Sequence, residues 1–419
     1  MKVLLVGSGG REHALAWKLK QSSALTQLFI TPGNAGTAEL GQNVPIPATD
    51  IFRLRCFAQE HKIDLTIVGP EDPIALGIRD LFEQAHLKIV APWKKVAFLE
   101  ASKVRAKEFM NQYQIPTAHH GSFTEYAAAL AYVKSLKAPM VIKADGLAAG
   151  KGVAIAQTTE EADRDLKSYL INRRFGPASQ SLVIEEFLTG KELSVFVASD
   201  GRTWKLLGVA QDYKRLLDAD QGPNTGGMGA VSPVSWLTAR MLEEISSRII
   251  EPTFSGLRAE GLHFEGILYL GLIWTDMGPY VIEYNVRFGD PETQVLVPRC
   301  DFDLLRFYQA IAERKLHEIP LELRSEYAVC VVAASKGYPE EYETNLLIQG
   351  EGLKSIAGDA LLFQAGTTLQ GQSVLTSGGR VLNAVGKGSS IGEARERAYE
   401  LIQHVHFPGM HYRRDIAKF

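Results

Sequence analysis

Four apolar residues, Val3 to Val6, run without a break into Gly7-Ser8-Gly9-Gly10, the pattern of a buried strand followed by a glycine turn. Ala14, Leu15, Trp17 and Leu19 then suit a helix, and Leu28 to Ile30 gives a second strand. Asp64 to Val68 predicts a third strand, stopped by Gly69-Pro70. Ile74 to Leu87 predicts a helix, and Lys88 to Val90 opens another strand. Strands alternating with helices at this spacing predict a doubly wound parallel sheet over residues 1–101, with helices on both faces.

The pattern changes from about Ser102. Lys103 to Tyr113 reads as a helix carrying Lys107, and Ala138 to Lys143 as a strand. Ala144 to Gly152 is a glycine-rich loop, and Val153 to Ala156 a second strand, so the two make a hairpin with a mobile tip. Thr159 to Tyr169 is helical and Leu182 to Phe187 extended. These features predict a central α+β domain over 102–324, with a lid subdomain at about 121–187. Short strands at Val329 to Ala333, Leu361 to Gln364 and Val381 to Val385 precede a closing helix, Ile391 to Val405. They predict a small β-rich domain over 325–419.

Side chains alternate along a strand, so in Tyr280 to Asp290 Val281, Glu283, Asn285 and Arg287 are expected on one face. Ile282, Tyr284, Val286 and Phe288 are expected in the core. A carboxylate and an amide oxygen in line suit magnesium, which binds oxygen ligands and substrate phosphates. The loop Gly146 to Gly152, with Gly150 and Lys151, is not a Walker motif: Gly152 stands where a Ser or Thr would hold magnesium. A flap closing over nucleotide phosphates fits better, with Lys143 and Lys151 supplying charge. An ordinary exposed hairpin is the bland alternative. Gly7 to Glu12 nearly matches a dinucleotide fingerprint, but Glu12 takes the third glycine position and no acidic residue follows the second strand. A substrate phosphate that is not part of a dinucleotide fits better; a turn with no ligand is the alternative. Gln221 to Gly229 reads as a further flexible loop, with Asp212, Lys214 and Arg215 adding mixed charge upstream.

Composition narrows the classes. The 419 residues are 46% apolar, enough for two or three cores, and a net charge of -3 gives no reason to expect nucleic acid or an acidic membrane. Cys56, Cys300 and Cys330 suggest neither a disulfide framework nor zinc. With no signal-peptide pattern and no apolar run approaching the roughly 20 residues of a membrane helix, a soluble cytoplasmic protein is expected. There is no zinc-type histidine pair and no Gly-x-Ser-x-Gly elbow.

The wording of these motifs resembles the glycinamide ribonucleotide synthetase family of ATP-grasp enzymes. The resemblance is carried by Gly7 to Ala16 (GSGGREHALA), Pro32 to Thr37 (PGNAGT), Val68 to Pro73 (VGPEDP) and Val141 to Val153 (VIKADGLAAGKGV). It continues through Glu185 to Leu188 (EEFL), Gly222 to Gly229 (GPNTGGMG), Val281 to Glu292 (VIEYNVRFGDPE), Ser377 to Val381 (SGGRV) and Tyr412 to Ile416 (YRRDI). Tyr213 stands where the family has histidine, Ala91-Pro92-Trp93 replaces Gly-Pro-Ser, and Val286 replaces alanine.

The resemblance implies a Mg2+- or Mn2+-dependent ligation of glycine to 5-phosphoribosylamine through glycyl phosphate, using ATP, in purine biosynthesis. Transient contact with the enzyme supplying phosphoribosylamine is a further expectation. Residue by residue, it implies that Lys107 and Lys143 touch ATP phosphates beneath a Gly146–Gly152 flap. The Glu186 carbonyl and Leu188 amide would read the adenine, and Glu192 the ribose. Glu283 and Asn285 would hold the metal, and Arg287 and Asp290, with Asp212, would face glycine and the acyl phosphate. Gly9, Gly10 and Glu71 would take phosphoribosylamine. Another ATP-grasp ligase or carboxylase, an NAD-dependent dehydrogenase and a non-catalytic nucleotide-binding module are the alternatives.

Overall fold

The first strand, β1 (Lys2–Gly7), feeds two cores at once. Leu4 and Val6 pack with Phe29, Leu54 and Phe82, while Val3 and Leu5 pack with Leu15, Leu19 and Ile30. A parallel strand covered by helices on both sides has no polar face, so its sequence is continuously apolar. The computed structural model describes residues 1–147 and 152–418. In it β1 is joined by β2 (Gln27–Pro32), β3 (Gln42–Asn43), β4 (Leu65–Val68) and β5 (Ile89–Val90). The strand order is β3-β2-β1-β4-β5, and every pairing is parallel. The apolar pattern did not reveal β3 or the helix Ile51–Glu60. The single helix expected over Ile74 to Leu87 is two, Glu71–Leu76 and Ile78–Gln84, broken where Gly77 takes a left-handed φ of 93°.

A second, antiparallel sheet comprises β6 (His120–Phe123), β7 (Met140–Ala144), β8 (Val153–Ala156) and β9 (Leu182–Glu186), in the order β6-β9-β7-β8. The β7–β8 hairpin is in register, with Met140 opposite Ala156 and Lys143 opposite Val153. Ala129, Val133, Met140, Ile142, Leu166 and Ile184 belong to a core of their own beneath this sheet. The helix Thr159–Leu166 passes into a wider π turn, Lys167–Ile171.

The rest of the chain builds one large sheet and two small ones. Their strands begin with β10 (Lys191–Asp200) and β11 (Trp204–Asp212), followed by the short β12 (Arg215–Leu217) and β13 (Gln221–Asn224). Next come β14 (Gly229–Ser232), β15 (Glu265–Thr275), β16 (Gly278–Asn285) and β17 (Tyr327–Ala334). The last are β18 (Leu347–Ile348), β19 (Ala360–Gln364), β20 (Thr367–Gln370), β21 (Ser373–Thr376) and β22 (Arg380–Gly388). Eight of them form a sheet in the order β16-β15-β10-β11-β14-β17-β22-β19. The final stretch therefore extends the central sheet through β14 and β17, with β18, β21 and β20 as a small sheet beside it. The helix Ile391–Gln403 lays Ala394, Ala398, Leu401 and Ile402 against Val329, Val331 and Ala384. β12 and β13 pair only with each other, so Gln221 to Asn224, expected as a loop, is half of a ribbon.

Candidate active site

The carboxyl ends of β1 and β4, the strands β7, β9, β11 and β16 and the start of β22 all border one cavity of about 1140 Å³. Ligands of open parallel sheets sit at such strand ends. β16 enters the cavity with a defect in its alternation. Glu283 lies opposite Gly271 and Val281 opposite Leu272, so Ile282 is an extra residue, a β-bulge. The bulge turns Val281 into the core with Tyr284 and Val286, and leaves Ile282 only partly covered at the cavity wall. The expected assignment of these two side chains is thus reversed. Glu283, Asn285 and Arg287 do line the cavity together.

Charge decides the state of Glu283. Burial works against its anion, but Lys214, Lys143 and Lys103 outweigh that and hold its carboxyl below the usual range. An ionised carboxylate two residues from the Asn285 amide gives hard oxygen donors of the kind a divalent cation takes, with phosphate and water completing its shell. Among the described residues, no cluster of three or more His, Cys, Asp or Glu side chains offers a metal site without such help.

Lys107 and Lys143 reach this wall from different elements and meet at one carboxylate. Glu185 Oε1 lies 3.1 Å from Lys107 Nζ and 3.0 Å from Lys143 Nζ. Lys107 also donates to Thr117 Oγ1 (2.6 Å) and Lys143 to the Ile282 carbonyl (3.0 Å). Burial lowers the Lys107 ammonium to about 8, against the pull of Glu185. Gly146 and Gly152 line the same side; Gly150 and Lys151 lie outside the described residues. Farther along, Glu186 and Leu188 line the cavity beside Phe187, and Glu186 Oε1 accepts from the His119 amide (2.9 Å). Glu192 pairs with Lys214 at 3.4 Å. Burial pushes the Asp212 carboxyl up to about 7, with Lys214 opposing and Glu292, Glu192 and Glu283 assisting.

Arg287 is not a free fork. Its Nε donates to Glu71 (3.1 Å) and its Nη2 to Glu100 (2.8 Å). Arg287 drives the Glu71 carboxyl down to about 2, whereas burial raises Glu100 to about 7 although Arg287 pulls the other way. Asp290 is occupied too. Oδ2 accepts from the Arg11 amide (3.1 Å) and Oδ1 from Gln294 Nε2 (2.9 Å), with Arg380 Nη2 3.4 Å away.

The glycine turn after β1 is filled by the protein itself. Glu12 Oε2 accepts from the Gly9 amide (2.6 Å), and Glu12 Oε1 from Arg11 Nε (2.6 Å). Gly7, at φ 131°, is glycine because a Cβ there would meet Glu12 Cδ at 2.5 Å. A dinucleotide pyrophosphate would meet this carboxylate, which removes the physical basis for NAD at the turn. Gly9 and Glu71 border the cavity, but Gly10 does not: a Cβ on it would strike Asn383 Nδ2 at 2.3 Å, so its role is packing.

Comparison with known proteins covers all three parts of the chain. Residues 1–100 match the family model of the phosphoribosylglycinamide synthetase N domain, residues 101–293 its ATP-grasp (A) domain, and residues 328–419 its C domain. The chain belongs to the phosphoribosylglycinamide synthetase family. The phosphoribosylamine–glycine ligase of Caldanaerobacter subterraneus is 45% identical over 417 residues, covering 100% of this chain and 99% of that one. The ligase of Escherichia coli O6:H1 is 48% identical over 421 residues, covering 100% and 98%. A crystal structure of the Thermotoga maritima ligase superimposes with a TM-score of 0.86 at 37% identity, over 99% of this chain and 100% of that one. Matches to the N and C domains, and not to the ATP-grasp part alone, separate this chain from other ATP-grasp enzymes.

Within the phosphoribosylglycinamide synthetase frame, the unusual residues have local partners. The Tyr213 hydroxyl accepts from the Ala417 amide (3.0 Å), and its ring lies 5.2 Å from the Arg413 guanidinium carbon. Trp93 stacks under Arg79 at 4.6 Å, and Val286 is core. Sequence reasoning missed Glu100, Glu185 and Arg380 as cavity residues. Glu185 and Arg380 fell inside matching motifs, where a charged residue in a strand was the available signal. Glu100 precedes the helix Lys103–Gln112 with no pattern around it.

Proposed function

We propose that this chain is an ATP-dependent phosphoribosylamine–glycine ligase of de novo purine biosynthesis. A glycine carboxylate oxygen attacks the γ-phosphorus of ATP, the bond to the β,γ-bridging oxygen breaks, and ADP leaves. The amine nitrogen of 5-phosphoribosylamine then attacks the acyl carbon of glycyl phosphate. Its proton is lost and inorganic phosphate departs, giving glycinamide ribonucleotide. Such chemistry needs positioning and charge neutralisation more than a nucleophilic side chain.

The observation that carries this reading is one cavity bordered by Lys107, Lys143, Glu283, Asn285, Arg287 and Asp212, in a chain similar to these ligases over its whole length. Lys107 and Lys143 bind ATP phosphates, and Gly146 and Gly152 flank a flap over them. The Glu186 carbonyl and Leu188 amide hold the adenine, and Glu192 the ribose. Glu283 and Asn285 would hold Mg2+ or Mn2+, which neutralises charge on the transferred phosphoryl group. Arg287, steered by Glu71 and Glu100, faces the glycine carboxylate; Gly9 and Glu71 border the phosphoribosylamine end. Asp290 acts by holding the surrounding loops. We assign the protein to the cytoplasm, a reading supported by three free cysteines.

The test is ADP release with one component omitted at a time. Sustained ADP formation is expected only with ATP, a divalent cation, glycine and phosphoribosylamine together. ADP formation indifferent to glycine would overturn the reading.

A further inference from the structure

The ribbon β12–β13 stands apart from the large sheet, and Leu217 to Pro223 are exposed. At its tip Ala219 and Asp220 have φ of 55° and 51°. Non-glycine residues keep that left-handed conformation only where their surroundings impose it. Yet Tyr213, Lys214, Arg215, Asp220, Asn224 and Thr225 all border the cavity. Little apolar burial fixes this ribbon.

Its order comes from the segment 411–417, which follows the helix Ile391–Gln403. His411 Nε2 bonds the Leu216 carbonyl (3.0 Å), the Arg414 amide donates to Asp218 Oδ1 (2.7 Å), and the Ala219 amide donates to Asp415 Oδ2 (2.8 Å). Arg413, with its side chain 1% exposed, is the centre of this clamp. It donates to the Arg215 carbonyl (3.1 Å) and Asp220 Oδ1 (2.8 Å) and holds Asp415 through two bonds of 2.8 Å. A planar fork with this many fixed partners sets geometry, a task lysine cannot reproduce.

We infer that Arg413, braced by Asp415, is a positioning residue of the active site. It lies behind the cavity wall, bonded to Arg215 and Asp220, which border the cavity. It fixes the ribbon, and through the ribbon holds Lys214, whose ammonium interacts with Asp212, Glu192 and Glu283. The YRRDI segment thereby acts on nucleotide binding from outside the cavity. This rests on the proposed reading of the cavity as the ATP site.

The experiment compares Arg413→Ala, Arg413→Lys and Asp218→Ala by hydrogen exchange, thermal unfolding and steady-state kinetics. Asp218 is exposed and outside the cavity, so its removal spares the fold. Arg413→Ala should speed exchange across 213–224 while β10 and β15 stay protected, and should raise KM for ATP at least about fivefold. Arg413→Lys should fall between it and the parent, and Asp218→Ala should raise KM about twofold. A merely structural Arg413 would lower kcat through lost active enzyme with KM unchanged, and that result would overturn the inference. So would faster ribbon exchange with unaltered kinetics. If Arg413→Ala does not fold, unchanged exchange and KM in the other two variants would equally reject it. Failure of the parent enzyme to form ADP would instead reject the proposed function, leaving the exchange result to judge the clamp.

Discussion

At the scale of single residues, the site is set by which charges share a neighbour. Glu283 is kept ionised by Lys214, Lys143 and Lys103, so Glu283→Gln removes a charge from the proposed cation site and no apolar contact. We expect kcat at saturating magnesium to fall at least about a hundredfold, some 2.7 kcal/mol, with a Tm within a few degrees of the parent. Unchanged kcat in that variant would reject Glu283 as a metal ligand. Arg287 bridges Glu71 and Glu100 with two separate nitrogens. A lysine brings one nitrogen in place of that planar fork and cannot hold both carboxylates in the same geometry. Arg287→Lys should therefore lose at least about tenfold, roughly 1.4 kcal/mol, in kcat/KM for glycine. ATP affinity should hold; positional isotope exchange in ATP reads the loss as slower acyl-phosphate formation. Lys107 offers a pH test. Burial lowers its ammonium to about 8, so above that pH much of it is neutral before nucleotide arrives. Phosphate oxygens favour the charged form and raise the value again. ATP binding near pH 8.5 should take up protons, seen as a binding enthalpy that changes with buffer ionisation enthalpy, and Lys107→Met should abolish most of the uptake.

Among the elements, the sheet β6-β9-β7-β8 stands out because its core residues pack with one another. A subdomain with its own core can move as a body without exposing much apolar surface. It carries Lys143 and Glu185 into the cavity, and with Glu186 and the adjoining Leu188 most of the expected adenine contacts. Adding ATP and magnesium should slow hydrogen exchange in 140–147 and 152–156, the two arms of the hairpin. Equal exchange with and without nucleotide would remove lid closure from the mechanism. The hairpin was legible in the chain because two short apolar runs flank a glycine-rich loop. The bulge at Ile282 was not, because strict alternation is the only face assignment that a strand sequence supports.

Across the whole molecule, Asp290 ties three regions together. Its oxygens meet the Arg11 amide from the helix Gly10–Leu19, Gln294 from the central region and Arg380 from β22. Arg380 adds bonds to the Gly226 and Asp290 carbonyls, each 2.6 Å. Removing the carboxylate leaves a half-buried guanidinium without its counter-charge, and the Arg11 amide and Gln294 side chain without their acceptor. Asp290→Ala should lower Tm measurably by calorimetry, and the double variant with Arg380→Ala should lose less than the two single losses added together, since the pair they share can be lost only once. Additive losses would mean the two residues stabilise the protein separately.

Local order along the chain determined much of this protein. Continuous apolar runs demanded strands covered on both faces, and glycines beside charged residues marked turns that border the cavity. The motif wording pointed to the family from end to end. Tertiary structure alone decided the rest, because it depends on residues far apart in sequence. Gly10 became a packing position only when Asn383 came to rest against it. Glu100 entered the site through Arg287 and the Val286 amide, and the ribbon at 215–224 found its restraint some two hundred residues later in Arg413 and Asp415. The last strands, which alone predict a small separate domain, gained their place by pairing β17 with β14. Backbone hydrogen bonds at a sheet edge accept any strand that arrives in register, so no periodicity within that stretch could announce which sheet it would join.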